Sequence, residues 1–133
     1  MHRCDSIRSR SHALVIFHVV QINLTRRGIG VEDAKLLKEA IYANPQLSVL
    51  KLSYNELGDE GAAIIASALQ LPDGTHHGHL SVLDLGFNSI GDRGCEALAV
   101  HGLAGNYNLQ TLYLSGNQIG EKGALSIAGA ILH

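Results

Sequence analysis

The stretch LSVLDLGFNSIGDRG, residues Leu80 to Gly94, places leucines at fixed intervals ahead of one asparagine and a glycine-containing turn. Two other segments match it position for position: LSVLKLSYNELGDEG from Leu47 and LQTLYLSGNQIGEKG from Leu109. A weaker copy begins at Val19. Four units therefore start near residues 19, 47, 80 and 109, and they predict a repeating array rather than one isolated strand and turn.

One position in each unit aligns the four copies. It is arginine in the first copy and asparagine in the other three: Arg27, Asn55, Asn88 and Asn117. These positions are 28, 33 and 29 residues apart. The motif L-x-x-L-x-L-x-x-N at such a period resembles the leucine-rich repeat family, in its ribonuclease-inhibitor-like class. That class also forms the C-terminal arrays of NOD-like receptors.

The resemblance covers about residues 19 to 133 and implies the fold class. It implies an α/β leucine-rich repeat solenoid, a curved horseshoe segment of about four repeats, with parallel strands on the concave face and helices on the convex face. We assign residues 17 to 133 to this domain. Residues 1 to 16 are predicted to be a disordered or irregular basic lead-in. The alternative is a targeting peptide, but a repeat already begins at Val19 and leaves little room for one.

The leucine spacing predicts which side chains face the core. In Leu50-Lys51-Leu52 alternate side chains point to opposite faces of a short strand, so the leucines lie inward and the lysine lies outward. The glycine and acid of Gly58-Asp59 are predicted to start a helix, with the acid suited to capping it. By the family resemblance, the three asparagines form a structural ladder whose amides turn inward and bond to backbone groups.

The composition limits the class of protein. Of 133 residues, 46% are hydrophobic and 17% are charged, which suits one globular domain. The longest apolar run falls short of the roughly 18 to 20 residues that cross a bilayer, so no membrane partner is expected. Residues 28 to 133 carry five basic and eleven acidic side chains, and no nucleic-acid partner is expected. Cys4 and Cys95 form no disulfide framework, which favours a reducing compartment and a cytoplasmic protein.

Three features invite a chemical role. The loop LPDGTHHGHL brings His76, His77 and His79 together. Adjacent histidines between glycines lack the fixed geometry of a metal site, and a solvated insertion is the expected alternative. Cys95 replaces an alanine of the equivalent helices and should pack as a small apolar residue. The glycines lack the lysine and spacing of a phosphate-binding loop. We therefore predict no metal, no cofactor and no enzymatic activity.

The outward positions of the strands form the remaining candidate site. They include three aromatic residues, in a chain of which only 5% is aromatic, and two opposite charges: Tyr54, Phe87, Tyr113, Lys51 and Asp84. Aromatic residues with a few charges around them are typical of binding hot spots. We predict that another protein binds here, on the concave face. For Phe87 the alternative is that its ring folds back over the neighbouring leucines.

The predicted function is a non-catalytic protein–protein interaction module. Resemblance to NOD-like receptor arrays implies a regulatory or sensing role, whereas resemblance to the GTPase-activating members of the same repeat class implies a small GTPase as partner. No motif distinguishes the two. The alternative is structural. Because the sequence stops at AGAILH, within the last predicted helix, the apolar flank of the fourth repeat would pair with a second copy or with a neighbour in a longer parent chain.

Overall fold

The fold comes from a computed structural model that describes residues 19–132. The predicted lead-in, residues 1 to 16, lies outside the described residues. Within that range four strands alternate with four helices, and the third helix continues into a π-helical segment. The elements in chain order are β1 (Gln21–Asn23), α1 (Val31–Ala43), β2 (Val49–Lys51), α2 (Gly58–Ala68), β3 (Val82–Asp84), α3 (Asp92–Ala97), the π-helical segment (Leu98–Leu103), β4 (Thr111–Tyr113) and α4 (Glu121–Leu132).

The four strands form one parallel sheet in the order of the sequence, β1-β2-β3-β4. Leu50 pairs with Ile22 on one side and with Leu83 on the other, and Leu83 pairs with Leu112. Because the equivalent apolar residue of each repeat lies in register, one repeat stacks directly on the next. The helices pack in the same order, each against its neighbour in sequence. The predicted α/β solenoid of strand–helix repeats is confirmed.

The core lies between the sheet and the helices. Leu50 and Leu83 point inward from β2 and β3 and are fully buried. Burying a leucine side chain contributes about 1.5 to 3 kcal/mol to stability. Ala62 and Cys95 are also fully buried, and their small size lets α2 and α3 lie close to their neighbours. In the fourth repeat Leu112 stays half-buried, because no further repeat covers it within residues 19–132.

The buried amide of Asn88 links the third repeat to the second. Its Nδ2 donates to the carbonyl oxygens of Leu85 and Gly86 in its own repeat, at 3.2 and 3.0 Å. The same nitrogen donates to the carbonyl of Leu52 in the preceding repeat at 2.9 Å. Its Oδ1 accepts a hydrogen bond from the backbone N–H of Leu57 at 3.2 Å. The side chain is 0% exposed, so the amide supplies inside the core hydrogen bonds that water supplies at the surface.

Asn55 and Asn117 repeat this arrangement. Asn55 Oδ1 accepts hydrogen bonds from the N–H groups of Arg27 and Ile29 at 2.9 and 3.0 Å. Asn117 Oδ1 accepts from two N–H groups of the third repeat at 2.8 and 3.0 Å. Both amide nitrogens donate to carbonyls of their own repeat and of the preceding one. Each asparagine thus closes the turn of the repeat before it.

Acidic side chains link the helices of successive repeats. Asp59 lies in the first turn of its own helix, α2, as the sequence predicts. Its Oδ1 nevertheless accepts hydrogen bonds from Gly91 and Gly94 at the start of α3, at 2.7 and 2.9 Å. In the same way, Asp92 Oδ1 accepts hydrogen bonds from the N–H groups of Gly120 and Gly123 at the start of α4, at 2.7 and 3.0 Å. The carboxylate therefore caps the next helix, whose free N–H groups and positive end need an acceptor.

A buried histidine connects the histidine loop to the first repeat through a hydrogen bond. His77 is 2% exposed, its Nε2 lies 3.1 Å from the carbonyl oxygen of Asn44, and its Nδ1 accepts the N–H of Leu80 at 3.2 Å. Because Nδ1 accepts, the ring proton lies on Nε2 and is donated to Asn44. The prediction of a solvated insertion is therefore wrong for His77, although His79 is exposed.

Replacing Asn88 by alanine tests the ladder. We expect Asn88→Ala to lower the free energy of unfolding by about 1 to 3 kcal/mol, because the N–H of Leu57 would lose its acceptor and three buried carbonyls would each lose a donor. Urea denaturation followed by circular dichroism measures the change. The matched control is Gln118→Ala, which removes an exposed amide and should leave the midpoint unchanged. Equal midpoints for Asn88→Ala and the wild type would contradict a structural role.

Candidate partner-binding face

The outward side of the sheet, here called the sheet face, is built from corresponding positions of the four repeats. The last residues of the strands lie side by side and form a first row: Asn23, Lys51, Asp84 and Tyr113. Tyr113 is exposed, whereas Lys51 and Asp84 are half-buried. The structure thus brings three of the predicted contact residues into one line across the sheet.

A second row lies one residue before Arg27 and the three asparagines. It contains Arg26, Tyr54, Phe87 and Gly116, whose φ angles are 57, 58, 55 and 71°. All four backbones are left-handed, a conformation that favours glycine and costs other L-residues roughly 1 to 2 kcal/mol. Only the fourth repeat uses glycine at this position. Tyr54 and Phe87 therefore keep a strained backbone in the folded chain.

The neighbouring repeats hold this backbone in place. The N–H of Tyr54 donates to the carbonyl of Gly86 at 2.9 Å, and the N–H of Phe87 donates to that of Ser115 at 2.8 Å. The next residue in each case is a ladder asparagine whose amide lies inside. The left-handed residue turns the chain away from the sheet, so that the asparagine enters the interior and the side chain before it stays outside.

The side chains of the second row stack on one another, and we call this row the stacked row. The Arg26 guanidinium lies 3.9 Å from the centroid of the Tyr54 ring, which is the geometry of a cation–π interaction. The Tyr54 and Phe87 rings have centroids 4.3 Å apart and planes 5° from parallel. Gly116 leaves room for the Phe87 ring, since an added Cβ would overlap it. The row is a continuous stack from the first repeat to the fourth.

The rings of the sheet face remain open to solvent. Tyr54, Phe87 and Tyr113 are 42, 44 and 52% exposed. The ring of Phe87 lies parallel to Tyr54 rather than folded back over the leucines. The structure therefore joins Tyr54 to Phe87 directly and leaves both accessible. Within residues 19–132 no ion pair within 4.0 Å joins Lys51 to Asp84, although the two are register neighbours.

Arg26 is the member of the stacked row that sequence reasoning missed. It belongs to the weak first repeat, in which Arg27 stands at the position of the asparagines. The signal was present nonetheless. Counting back one residue from Arg27, as from Asn55 and Asn88, places Arg26 in the same column as the two aromatic rings.

The other candidate chemistries find no support within residues 19–132. Cys95 is buried, and this burial raises the pKa of its thiol, with a smaller contribution from the carboxylates of Asp92 and Asp59. A raised pKa disfavours the thiolate that a nucleophile requires. That part of the chain holds no group of three or more histidine, cysteine, aspartate or glutamate residues placed to bind a metal ion.

The described residues also contain no helix with the length and apolar character that crossing a membrane requires. The cytoplasmic location stays a prediction.

Comparison with known proteins shows what the chain is similar to. A family model described as "Leucine Rich repeat" matches residues 43–66, 76–99 and 105–128. NACHT, LRR and PYD domains-containing protein 4E of Mus musculus is 36% identical over 110 residues, which cover 83% of this chain and 11% of that protein. NACHT, LRR and PYD domains-containing protein 4C of the same organism is 36% identical over 97 residues, covering 73% and 9%. The chain spans about a tenth of the length of these curated relatives.

The strained backbone at Phe87 gives a stability test that needs no partner. We expect Phe87→Gly to be more stable than Phe87→Ala by about 1 kcal/mol, because both remove the ring but only glycine relieves the left-handed φ. Urea denaturation of the two variants measures the difference.

The matched control for this test is Leu36, an exposed residue within α1. There Leu36→Gly should be less stable than Leu36→Ala by about 1 kcal/mol, because glycine is unfavourable in the interior of a helix. A Phe87→Ala chain more stable than Phe87→Gly would contradict the left-handed conformation.

Proposed function

This chain belongs to the leucine-rich repeat family, and we propose that it is a non-catalytic interaction module that holds a partner protein on its sheet face. Leucine-rich repeat domains generally use such surfaces to bind other proteins. The frame suits this role because each repeat adds the same inward leucines but different outward side chains. A constant core thereby presents a variable surface.

The observation that carries the proposal is the exposed stack of Tyr54 and Phe87. Only 5% of this chain is aromatic, yet these two rings and Tyr113 share one surface and are 42 to 52% exposed. Strained backbone of the kind found at Tyr54 and Phe87 clusters at binding and catalytic sites. Exposed aromatic side chains are the commonest anchors of protein interfaces. Strain and exposure together favour binding over a purely structural role for these rings.

Stacking also prepares the rings for a partner. Tyr54 lies between Arg26 and Phe87, so its side chain has little rotamer freedom left to lose when a partner covers it. Immobilising a free side chain at an interface costs about 0.5 to 1.5 kcal/mol, and the stack avoids part of that cost. Lys51 and Asp84 carry opposite charges beside the stack and would orient the partner.

The relatives support a regulatory context. Their names combine LRR with NACHT and PYD domains in one protein. We propose that this segment serves a regulatory or sensing role in which the sheet face holds a protein ligand or another domain.

Parallel capture experiments test the surface. We expect the immobilised wild-type chain to retain a partner from a cell lysate, and the chain carrying both Tyr54→Ala and Tyr113→Ala to lose it, because the aromatic anchors are gone. The retained protein is then purified and its affinity for each chain is measured directly by calorimetry. A loss of at least about tenfold in affinity is expected for the double variant.

Two controls make this result specific. Tyr107→Ala removes the most exposed tyrosine of the described chain, at 85%, from the loop before β4, and should leave binding intact. Glu96→Ala changes the helix side and should do the same. Equal losses for the sheet-face and control variants would contradict binding on this face.

A second candidate function is assembly through the flank of the fourth repeat. Helix α4 exposes Leu125, Ile131 and Leu132 at 64, 69 and 80%. Leu112 and Leu114 beside it are half-buried, whereas their equivalents in the third repeat are fully buried by the fourth. We propose as the alternative that a repeat of a second copy, or of a longer parent chain, packs on this flank.

The concentration dependence of the mass tests self-assembly. We expect the wild-type mass, measured by light scattering, to rise with concentration if copies pair through this flank, and Ile131→Glu to keep the mass of a monomer, because a buried charge opposes the contact. Leu36→Glu places the same charge on α1, at a side chain that is 71% exposed, and should pair like the wild type. A wild-type monomer at every concentration would contradict pairing of copies.

A further inference from the structure

We infer that the first-repeat end of the sheet face recognises an acidic, extended segment of a partner protein. A carboxylate of that segment would bind at Arg26 and Lys51, and an apolar side chain about three residues away would lie beside Phe87. The inference rests on the proposed function, since it specifies the chemistry of the partner at the same face.

The cations at this end have no carboxylate partners in the described chain. Arg26 is exposed and begins the stacked row, and Lys51 lies in the first row of the neighbouring repeat. The two ion pairs found among residues 19–132 join helical residues, and neither involves Arg26 or Lys51. Cations on adjacent repeats with no carboxylate of the described chain within 4.0 Å favour an anionic ligand and would speed its approach.

The stack fixes how Arg26 would meet that ligand. Its guanidinium carbon lies 3.9 Å from the centroid of the Tyr54 ring, so the group is held over that ring. A guanidinium offers its N–H donors along its edge, in a fork that matches the two oxygens of a carboxylate. The N–H donors that do not contact the ring are left for a carboxylate.

A nucleic acid fits this face less well than an acidic protein segment. Proteins that bind single strands offer open aromatic faces on which bases stack. Here Tyr54 is covered by Arg26 on one side and by Phe87 on the other, so this ring offers a base its edge rather than its face. Residues 28 to 133 carry eleven acidic side chains against five basic ones, and Asp84 lies in the first row beside Lys51. That balance repels a polyanion but allows a single carboxylate at the basic end.

The spacing of the repeats determines how far apart the acidic and the apolar residue of the bound segment should be. Adjacent strands of a sheet lie about 4.8 Å apart, so the columns of Arg26 and Phe87, two repeats apart, are separated by about 10 Å. An extended chain covers that distance in about three residues. A segment that crosses the strands would therefore place its acid and its apolar residue about three positions apart. The ring edges of Tyr54 and Phe87 suit this segment because aromatic edges carry partial positive charge.

Selection of peptides from a random library tests the inference. Phage-displayed dodecapeptides are panned on the wild-type chain and, in parallel, on three variants: Arg26→Gln with Lys51→Gln, Tyr54→Ala with Tyr113→Ala, and Tyr107→Ala as the control. We expect peptides selected on the wild type and on the control to be enriched in Asp or Glu about three positions from an apolar residue. That acidic enrichment should disappear on the Arg26→Gln, Lys51→Gln chain.

A selected peptide labelled with fluorescein gives the quantitative test by anisotropy. We expect Arg26→Gln with Lys51→Gln to weaken binding about tenfold, and a Glu→Gln change in the peptide to weaken binding to the wild type by a similar factor. When the two changes are combined, their losses of binding free energy should not add, because each change removes the same contact. Fully additive effects would overturn the contact between that acid and these cations.

The remaining outcomes separate this inference from the proposed function. Peptides that lack acids but still need Tyr54 and Tyr113 would overturn the acidic motif and support the sheet face as the binding surface. Peptides selected equally on the Tyr54→Ala, Tyr113→Ala chain would overturn both. A fluorescein-labelled oligothymidylate that binds more tightly than every selected peptide would overturn the assignment of a protein ligand.

Discussion

A buried amide that reaches back into the preceding repeat is the interaction on which the rest of the structure depends. Asn88 bonds backbone groups of two repeats at once, and it shares the carbonyls of Leu52 and Leu85 with the ladder asparagines of the neighbouring repeats. The carboxylate of Asp59 acts in the opposite direction and caps the helix of the following repeat. Because both contacts join neighbours, the stability of the array depends mainly on the interfaces between repeats rather than on any single repeat.

The same constraint creates the outer surface. An asparagine can enter the interior because the residue before it turns the chain in a left-handed conformation and keeps its own side chain outside. Aromatic and cation–π stacking contributes about 0.5 to 1.5 kcal/mol per pair, which offsets part of the roughly 1 to 2 kcal/mol of strain at each such residue. Gly116 shows that the fold accepts glycine at this position without strain. Stability alone therefore does not account for Tyr54 and Phe87, which is consistent with the proposed binding role.

The sequence was sufficient for the fold and insufficient for the contacts between repeats. The leucine period predicted the parallel sheet and the buried leucines, because each repeat shows that pattern independently. The partners of Asp59 could not be read in the same way, since its bonds go to a helix more than thirty positions away. His77 lies in an insertion with no periodic counterpart, so nothing in the pattern indicated that it is buried. The contact residues Lys51, Tyr54, Asp84, Phe87 and Tyr113 stay predictions until a partner is tested.

The most direct measurement is the nuclear magnetic resonance spectrum of the chain without any partner. If the stacked row is formed in advance, the Tyr54 ring shifts the side-chain protons of Arg26 upfield of those of Arg27, and Tyr54→Ala removes that difference. Strong intraresidue contacts between the amide and α protons of Tyr54 and Phe87 should accompany it, as left-handed backbone requires. Identical side-chain shifts for Arg26 and Arg27, unchanged by Tyr54→Ala, would contradict a preformed binding surface.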